Sequence, residues 1–206
     1  MSRVAEISRI TNETDITVKL NLDGSGEARL QYPIGFMAHM LTAFARHGLF
    51  DLEIRASGDL DVDQHHLVED TGIVLGQCFA KALGDRRGIR RVGSCLFPMD
   101  ETLARAAVDV SGRSFLVFEA LLSGFPLVSA APGLNPSSFQ TDTVQDFWQA
   151  FTGTAGLTLH LEILRGRSDH HKIEALFKAV SRSLREACEI DGRLGDRIPS
   201  TKGVLA

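Results

Sequence analysis

The feature that most constrains how this 206-residue chain can fold is an internal repeat. The segment Asn12-Glu-Thr-Asp-Ile-Thr-Val-Lys-Leu-Asn-Leu-Asp-Gly24 matches Asp100-Glu-Thr-Leu-Ala-Arg-Ala-Ala-Val-Asp-Val-Ser-Gly112 without a gap. Both copies begin with a polar residue, Glu and Thr, then alternate apolar and polar residues and end on a glycine. This alternation is typical of a half-buried β-strand. A repeat of this length indicates that one structural unit occurs twice.

Further blocks repeat in the same order. Each half has an amphipathic helix with apolar residues at helical spacing, then a glycine, a strand and a long helix. The predicted pairs are helices 39–45 and 146–152, strands 50–55 and 157–163, and helices 65–83 and 170–188. We infer one domain made of two pseudo-repeats, about 1–92 and 93–190, followed by a C-terminal tail, 191–206.

Two segments fall outside the repeat. Residues 119–141 are rich in Pro, Gly and Ser, which predicts a long surface loop. The tail from Asp191 to Ala206 has no periodicity and predicts an extended segment that packs on another part of the chain.

Composition argues against several classes of function. A net charge of -4 provides no basic surface for nucleic acid. No run approaches the roughly 18 apolar residues of a membrane span, and residues 1–15 lack the apolar core of a signal peptide. Three widely spaced cysteines, Cys78, Cys95 and Cys188, are typical of reduced thiols. We therefore expect a cytoplasmic protein with no membrane and no nucleic-acid partner.

The strongest chemical signal is a pair of histidine motifs at the start of the two long helices. They are Asp63-Gln-His-His-Leu-Val-Glu-Asp70 and Ser168-Asp-His-His-Lys-Ile-Glu174. In each motif the second histidine and the glutamate stand at i, i+3, so we predict that they share a helical face and hold one ion. The first histidine turns towards another ion. Imidazole and carboxylate without thiolate favour Mn, Fe or Zn.

The duplication adds one candidate ligand to each motif. His39, at the start of the first short helix, aligns with Asp146, and both side chains can bind a metal ion. The predicted ligands of two ions are therefore His39, His65, His66, Glu69, Asp146, His170, His171 and Glu174. His47 stands at a helix end, where a cation is favoured, and both a structural and a functional role stay open for it.

A second group of residues suits a phosphate, because arginine forks and lysine point charges bind it well. Arg113 follows the turn glycine of the second repeated strand, and Lys178 lies one turn after Glu174. The candidates are Arg91, Arg113, Lys178, Ser200, Thr201 and Lys202.

Taken together, these motifs resemble the imidazoleglycerol-phosphate dehydratase family over nearly the whole chain. They are Arg9-Ile-Thr-Asn-Glu-Thr14, Leu22-Asp-Gly24, Phe36-Met-Ala-His-Met-Leu41, Gly58-Asp-Leu-Asp-Val-Asp-Gln-His-His-Leu-Val-Glu-Asp70, Gly88-Ile-Arg-Arg91, Pro98-Met-Asp-Glu101, Ser111-Gly-Arg113, His170-His-Lys-Ile-Glu174 and Pro199-Ser-Thr-Lys-Gly203. Their occurrence in order is far more specific than either histidine motif alone.

The resemblance implies an α+β fold, an internally duplicated unit with helices packed between two four-stranded mixed β-sheets. It also implies two Mn²⁺ per active site, and trimers that assemble into a 24-subunit homo-oligomer with sites at subunit interfaces. The eight candidates above would bind metal, with Asp146 where the family usually has histidine or glutamate. The candidate catalytic residues are Glu13, His47 and Glu69, with Glu13 as the acid/base near the leaving hydroxyl. Glu13 would also contact the substrate, whose phosphate would be held by Arg91, Arg113, Lys178, Ser200, Thr201 and Lys202.

The implied activity is Mn-dependent dehydration of D-erythro-imidazoleglycerol phosphate to imidazole-acetol phosphate in L-histidine biosynthesis. Metal ions on both ring nitrogens would stabilise an imidazolate while the hydroxyl departs, and a carboxylate would shuttle protons. Three alternatives stay open: a dinuclear phosphate-ester hydrolase, a metal-binding assembly or storage protein, and a divergent paralogue with altered or weak activity. Ala38, Ala43 and Gln145 favour the last, because the family commonly has polar or acidic residues there.

Overall fold

The structure of the chain is a computed structural model that describes residues 3–129 and 137–205. The elements, in chain order, are β1 (Val4–Ile10), β2 (Thr14–Asn21), β3 (Ala28–Gln31), α1 (Gly35–Gly48), β4 (Asp51–Gly58), α2 (His65–Leu83), β5 (Val92–Met99), β6 (Thr102–Asp109), β7 (Phe115–Glu119), β8 (Leu127–Ser129), β9 (Ser137–Phe139), α3 (Thr143–Ala155), β10 (Thr158–Arg165) and α4 (Asp169–Cys188). No helix in these two ranges is both long enough and apolar enough to cross a membrane.

Two four-stranded sheets share one strand order. The first runs β1-β2-β4-β3 and the second β5-β6-β10-β7. In each sheet the last strand is parallel to its neighbour and the other pairs are antiparallel. The pairing register also repeats. Val18 pairs with Ile54 in the first sheet, and Ala106 pairs with Leu161 at the equivalent positions of the second sheet. The predicted fold class, a duplicated α+β unit with two four-stranded mixed sheets, is confirmed.

The four helices lie between the sheets and cross from one half to the other. The long helix α2 packs on β1 and β2, and its counterpart α4 packs on β5 and β6. The short helix α1, however, packs on α4, and α3 packs on α2. Neither half can therefore bury the apolar stripes of its own helices alone.

Aromatic side chains on α3 join all four helices. The ring of Trp148 lies 4.7 Å from that of Phe177 on α4. The ring of Phe151 lies 5.8 Å from that of Phe79 on α2 and 6.2 Å from that of Phe44 on α1. All five side chains are fully buried. Burial of one such side chain contributes about 1.5–3 kcal/mol, so these contacts fix how the helices sit against one another.

Helices α2 and α3 approach closely because α2 presents two glycines to its neighbour. A Cβ atom added at Gly72 would lie 2.5 Å from the carbonyl oxygen of Phe147. One added at Gly76 would lie 2.5 Å from the carbonyl oxygen of Phe151. This close approach sets Asp146, the residue before Phe147, beside the start of α2.

The predicted surface loop at 119–141 is partly wrong. Within it, β8 pairs with β9 through Leu127 and Phe139, and residues 130–136 lie outside the described ranges. Phe139 is only 2% exposed, and its ring lies 4.7 Å from that of Phe36 at the start of α1. Phe139 therefore closes one end of the core. Helix α1 also begins earlier than expected, so His39 lies one turn inside it.

The C-terminal tail packs on the segment between α2 and β5. The amide of Gly88 donates to the carbonyl of Arg197 over 3.0 Å, and the amide of Asp191 donates to the carbonyl of Gly88 over 2.8 Å. The guanidinium of Arg91 donates to the carbonyl of Pro199 over 2.9 Å. These bonds hold residues 199–202 in a fixed place without a regular element.

We expect Gly76→Ala to lower the free energy of unfolding by about 1–3 kcal/mol, because the added methyl group forces α2 and α3 apart. Gly153, exposed on α3, is the matched control, since a Cβ atom there meets nothing within 4 Å. Gly153→Ala should raise the free energy of unfolding by about 0.5–1 kcal/mol. Denaturant unfolding followed by circular dichroism measures both, and equal effects would contradict the packing described.

Candidate active site

The first metal cluster, called here the His39 cluster, consists of His39 on α1 with His170 and Glu174 on α4. Glu174 Oε2 lies 3.4 Å from His39 Nε2 and 3.2 Å from His170 Nε2. The three ligand atoms all lie within 4.8 Å of one another. Two donors that each sit about 2.1 Å from one ion are about 3.0–3.4 Å apart. The cluster therefore has the spacing of a site for one divalent ion.

The duplication-related cluster, called the Asp146 cluster, consists of Asp146 on α3 with His65 and Glu69 on α2. His65 Nδ1 lies 3.4 Å from Asp146 Oδ2, and His65 Nε2 lies 3.7 Å from Glu69 Oε2. The imidazole thus stands between two carboxylates and meets them with different nitrogens. Each cluster joins the short helix of one half to the long helix of the other.

The predicted i, i+3 pairing of the second histidine with the glutamate is wrong. In both long helices the glutamate instead meets the first histidine, at i, i+4. Both spacings bring side chains together on a helix. The crossing helix selects the i, i+4 pair, because His39 and Asp146 arrive on the side of the first histidine.

The second histidine of each motif is held by an acid from a neighbouring loop. His66 Nδ1 lies 3.0 Å from Asp59 Oδ2, and this contact raises the pKa of His66. His171 Nδ1 lies 2.8 Å from Glu101 Oε2. A carboxylate on one imidazole nitrogen orients the ring and leaves the other nitrogen to bind a metal ion. The Nε2 atoms of His66 and His171 are therefore both left available to bind a metal ion.

The repeated acids Glu13 and Glu101 have different surroundings. Glu101 Oε1 accepts from the amides of Ser168 over 2.9 Å and Arg167 over 3.2 Å, while Oε2 contacts His171. These bonds, led by that from Ser168, hold the pKa of Glu101 well below its usual range. Glu13 has a half-exposed carboxylate whose nearest cationic neighbour is His66 Nε2, at 3.9 Å. Glu101 anchors the turn before α4, whereas the carboxylate of Glu13 is half exposed and accepts no hydrogen bond from the described residues.

Five of the six phosphate candidates line one pocket of about 270 Å³. They are Arg91, Arg113, Ser200, Thr201 and Lys202. Arg91 donates two bonds to Asp109, over 2.7 and 2.9 Å, and so is partly neutralised. Lys178 lies elsewhere, with Nζ 2.6 Å from Glu174 Oε1 in the His39 cluster. The pocket combines three cationic side chains with two hydroxyls, which suits a dianionic group.

The pocket and the His39 cluster lie at opposite ends of α4. His170 stands at its first turn, whereas the carbonyl of Ala187 accepts from the amide of Arg91 over 2.8 Å. At 1.5 Å per residue, these ends are about 25 Å apart. Strand β6 gives a similar separation. It begins at Thr102, next to Glu101, and ends at Asp109, which binds Arg91 of the pocket. Its seven residue steps span about 23 Å.

His47 belongs to neither cluster. It follows His39 by eight residues on α1, which is about 12 Å along the helix. Its ring meets that of Phe97 edge-on at 5.4 Å. Burial lowers its pKa, and the charges of Lys178 and Arg182 add to this effect. No hydrogen bond or ion pair joins it to a candidate ligand within residues 3–129 and 137–205.

Sequence reasoning missed the partner of His66 and left Glu101 without a role. Asp59 stands directly after β4 and before the first histidine motif. Glu101 stands directly before β6, and its own repeat mate was the only signal for it. An acid next to a strand end is too common in sequences to identify a residue that orients a histidine. Only the folded chain shows which histidine the carboxylate contacts.

The fold and the two clusters define an α+β protein with two helix-borne groups of imidazole and carboxylate, one of which, the His39 cluster, has the spacing of a site for a divalent ion. The profile described as imidazoleglycerol-phosphate dehydratase matches residues 33–184. The imidazoleglycerol-phosphate dehydratase of Methylorubrum populi is 52% identical over 203 residues, which are 98% of this chain and 100% of that protein. That of Lacticaseibacillus casei is 53% identical over the same shares.

Two solved structures agree with this similarity. Imidazoleglycerol-phosphate dehydratase from Staphylococcus aureus has a TM-score of 0.77 at 37% identity, covering 91% of this chain and 99% of that one. The Pyrococcus furiosus protein, in complex with (S)-C348, has a TM-score of 0.77 at 32% identity, covering 97% and 100%. The chain belongs to the imidazoleglycerol-phosphate dehydratase family, a family of hydro-lyases, as the sequence motifs predicted.

We expect Glu101→Gln to lower the melting temperature at pH 7, because an amide cannot accept from Ser168, Arg167 and His171 together. Glu13→Gln, at the matched repeat position, should leave it unchanged. Since the folded-state pKa of Glu101 is depressed, its contribution is present above the unfolded value of 4.5 and is lost as the pH falls below it. Thermal unfolding of both variants across this range tests the assignment, which fails if the two variants behave alike.

Proposed function

We propose that this chain catalyses the Mn-dependent dehydration of D-erythro-imidazoleglycerol phosphate to imidazole-acetol phosphate in L-histidine biosynthesis, as a cytoplasmic enzyme. The observation that carries the proposal is the duplicated pair of imidazole–carboxylate clusters, one with three ligand atoms within 4.8 Å. Membership of the dehydratase family supplies the reaction class and the substrate.

The eight candidate ligands are grouped around the two clusters. The His39 cluster supplies three donors within 4.8 Å of one another. The Asp146 cluster presents its two carboxylates to different nitrogens of His65, and His66 and His171 offer one further nitrogen each. Such oxygen and nitrogen donors without thiolate suit Mn, Fe or Zn, and the family resemblance selects Mn²⁺ among them. When bound, two such ions would draw negative charge from the imidazole ring of the substrate and so make a neighbouring carbon-bound proton more acidic.

The carboxylate of Glu13 carries the proton transfer in this proposal. It is exposed and has no close hydrogen-bonded partner in the described chain, whereas Glu101 is held by two amides and a histidine. A carboxylate that gives and takes protons must be able to visit both states at neutral pH. The depressed pKa of Glu101 prevents this. The geometry therefore supports Glu13 over its repeat mate on physical grounds.

The separation of the two site halves supports a homo-oligomer. The substrate has a three-carbon chain between ring and phosphate, which spans on the order of 7 Å, about two extended residues. The His39 cluster and the cationic pocket of one chain are about 23–25 Å apart. One substrate can reach both only if the pocket of one copy faces the clusters of another. The trimers and 24-subunit shell implied by the family satisfy this requirement.

We expect the Mn-loaded protein to convert imidazoleglycerol phosphate to imidazole-acetol phosphate, and a chelator to stop the reaction. Glu13→Gln should lower kcat by about 10²–10⁴-fold, the usual contribution of a positioned acid/base, with metal content and assembly mass unchanged. Product formation, elemental analysis and light scattering measure the three quantities. Release of inorganic phosphate without dehydration would favour the hydrolase instead, and bound metal without turnover would favour a storage protein.

Arg113→Met should raise KM by roughly 10- to 100-fold, the equivalent of one charge-assisted hydrogen bond, and lower kcat much less. The reason is that Arg113 lines the cationic pocket and, within the described residues, its guanidinium is not engaged by a carboxylate. Arg29, exposed and paired with Glu27 on an outer strand, is the control position. Steady-state kinetics of Arg113→Met and Arg29→Met measure KM and kcat for both variants. An unchanged KM for Arg113→Met would contradict the assignment of Arg113 to phosphate binding.

A further inference from the structure

The turn between β1 and β2, which carries Glu13, is tied to helix α2 by a polar network around Asp70. The guanidinium of Arg9, on β1, donates to Asp70 Oδ2, and the hydroxyl of Thr14, on β2, donates to the same oxygen. Asp70 and Thr14 are both buried. One carboxylate oxygen therefore holds the two strands that flank Glu13 against α2.

The main chain of Glu13 is fixed by two further hydrogen bonds. Its amide donates to the hydroxyl of Thr11 over 3.1 Å, and its carbonyl accepts from the amide of Asp59 over 3.0 Å. Asp59 also contacts His66 Nδ1, so one residue places both Glu13 and His66. The backbone of Glu13 is thus held on every side, while its carboxylate is half exposed.

The second repeat has no such network at the equivalent positions. The residue that matches Arg9 is Phe97, and the residue that matches Asp70 is Ala175. The threonine at the start of β2 recurs at the start of β6, but it has no carboxylate on α4 to bind. Both Phe97 and Ala175 pack with the hydrophobic core. The same backbone plan therefore accommodates an apolar pair where the first repeat has an ion pair.

The stability of the fold does not explain why the first repeat has the ion pair. Removing two charged groups from water costs free energy, and apolar residues of similar volume are often equally or more stabilising. A buried carboxylate that accepts two hydrogen bonds does, however, favour one geometry over its neighbours. The network stands in the repeat whose turn carries the exposed Glu13, and is absent from the repeat whose Glu101 is held by its own bonds.

We infer that Asp70, together with Arg9 and Thr14, is a positioning residue for Glu13, an inference that rests on the proposed function. The network holds the turn so that the carboxylate of Glu13 meets the substrate in the geometry that proton transfer requires. A misplacement of about 1 Å can lower a rate by about 10²-fold. Loss of the network should therefore lower kcat and change KM much less.

The first test removes the hydroxyl of Thr14 in the full-length, Mn-loaded protein. Thr14→Val keeps the shape of the side chain and should lower kcat by about 10- to 100-fold, with the metal content unchanged. Thr14→Ser keeps the hydroxyl and should recover most of this loss. Ser183→Ala is the control, because it removes a buried hydroxyl bond of 2.9 Å in the other repeat. It should lower the melting temperature and leave kcat as it is.

A double-variant comparison separates positioning from a general loss of stability. If Thr14 acts through Glu13, Thr14→Val should lower kcat no further once Glu13→Gln is present. The same proportional loss in both backgrounds overturns the inference. A fall in kcat that only follows a fall in Mn content also overturns it, because the network would then serve the metal ligands beside Asp70.

The second test copies the apolar pair of the second repeat into the first. Arg9→Phe combined with Asp70→Ala should leave the melting temperature equal or higher, while kcat falls about as far as in Thr14→Val. A normal kcat in this variant contradicts the inference. Failure of both this variant and Thr14→Val to fold, followed by circular dichroism, would show that the network serves stability instead.

The inference and the proposed function fail in different ways. An unchanged protein that does not dehydrate imidazoleglycerol phosphate overturns both. An active protein that loses its activity in Glu13→Gln, but keeps it in Thr14→Val and in the apolar pair, overturns the positioning role of Asp70 alone.

Discussion

The packing of each short helix on the long helix of the other repeat is the constraint on which this site depends. His39 meets His170 and Glu174 because α1 lies on α4, and Asp146 meets His65 because α3 lies on α2. The buried aromatic rings of α3 hold this arrangement, and the glycines of α2 permit its closest approach. Dispersion and apolar burial at the centre of the molecule therefore position polar ligands at its edge. A shift of one turn between the paired helices would separate His39 from Glu174 and Asp146 from His65.

Matched positions of the two repeats carry side chains with different contacts. Glu101 stabilises a turn and orients His171, while its mate Glu13 is left exposed and free. Lys178 holds Glu174, while the matched position on α2 is the apolar Ile73. His39 and Asp146 occupy equal places with different donors. One backbone plan thus carries two sites of different chemistry, because a repeated fold fixes where side chains point and leaves their identity open.

Most of the fold was predictable from the chain itself. Alternation in residues 14–21 and 102–109 and helical spacing in α2 and α4 arise from local backbone geometry, so the pattern predicts the element. The β8–β9 pair and the burial of Phe139 were not predictable, because a Pro- and Gly-rich segment shows no periodicity and its burial depends on Phe36, a residue about 100 positions earlier. The start of α1 was misplaced for a similar reason, since its first turn has no side-chain cap.

By itself, the sequence determined the duplication, the two histidine motifs, the cationic residues of the tail and the family. Each of these is written in local spacing or in residue type. Only the tertiary structure decided which histidine meets which glutamate, that Asp59 and Glu101 orient His66 and His171, and that Lys178 leaves the phosphate set to hold Glu174. It also set the His39 cluster and the cationic pocket at opposite ends of α4. The contact of Glu101 with His171 joins residues far apart in the chain. The choice of histidine partner on α2 and α4 depends on helix crossings that spacing along one helix cannot specify.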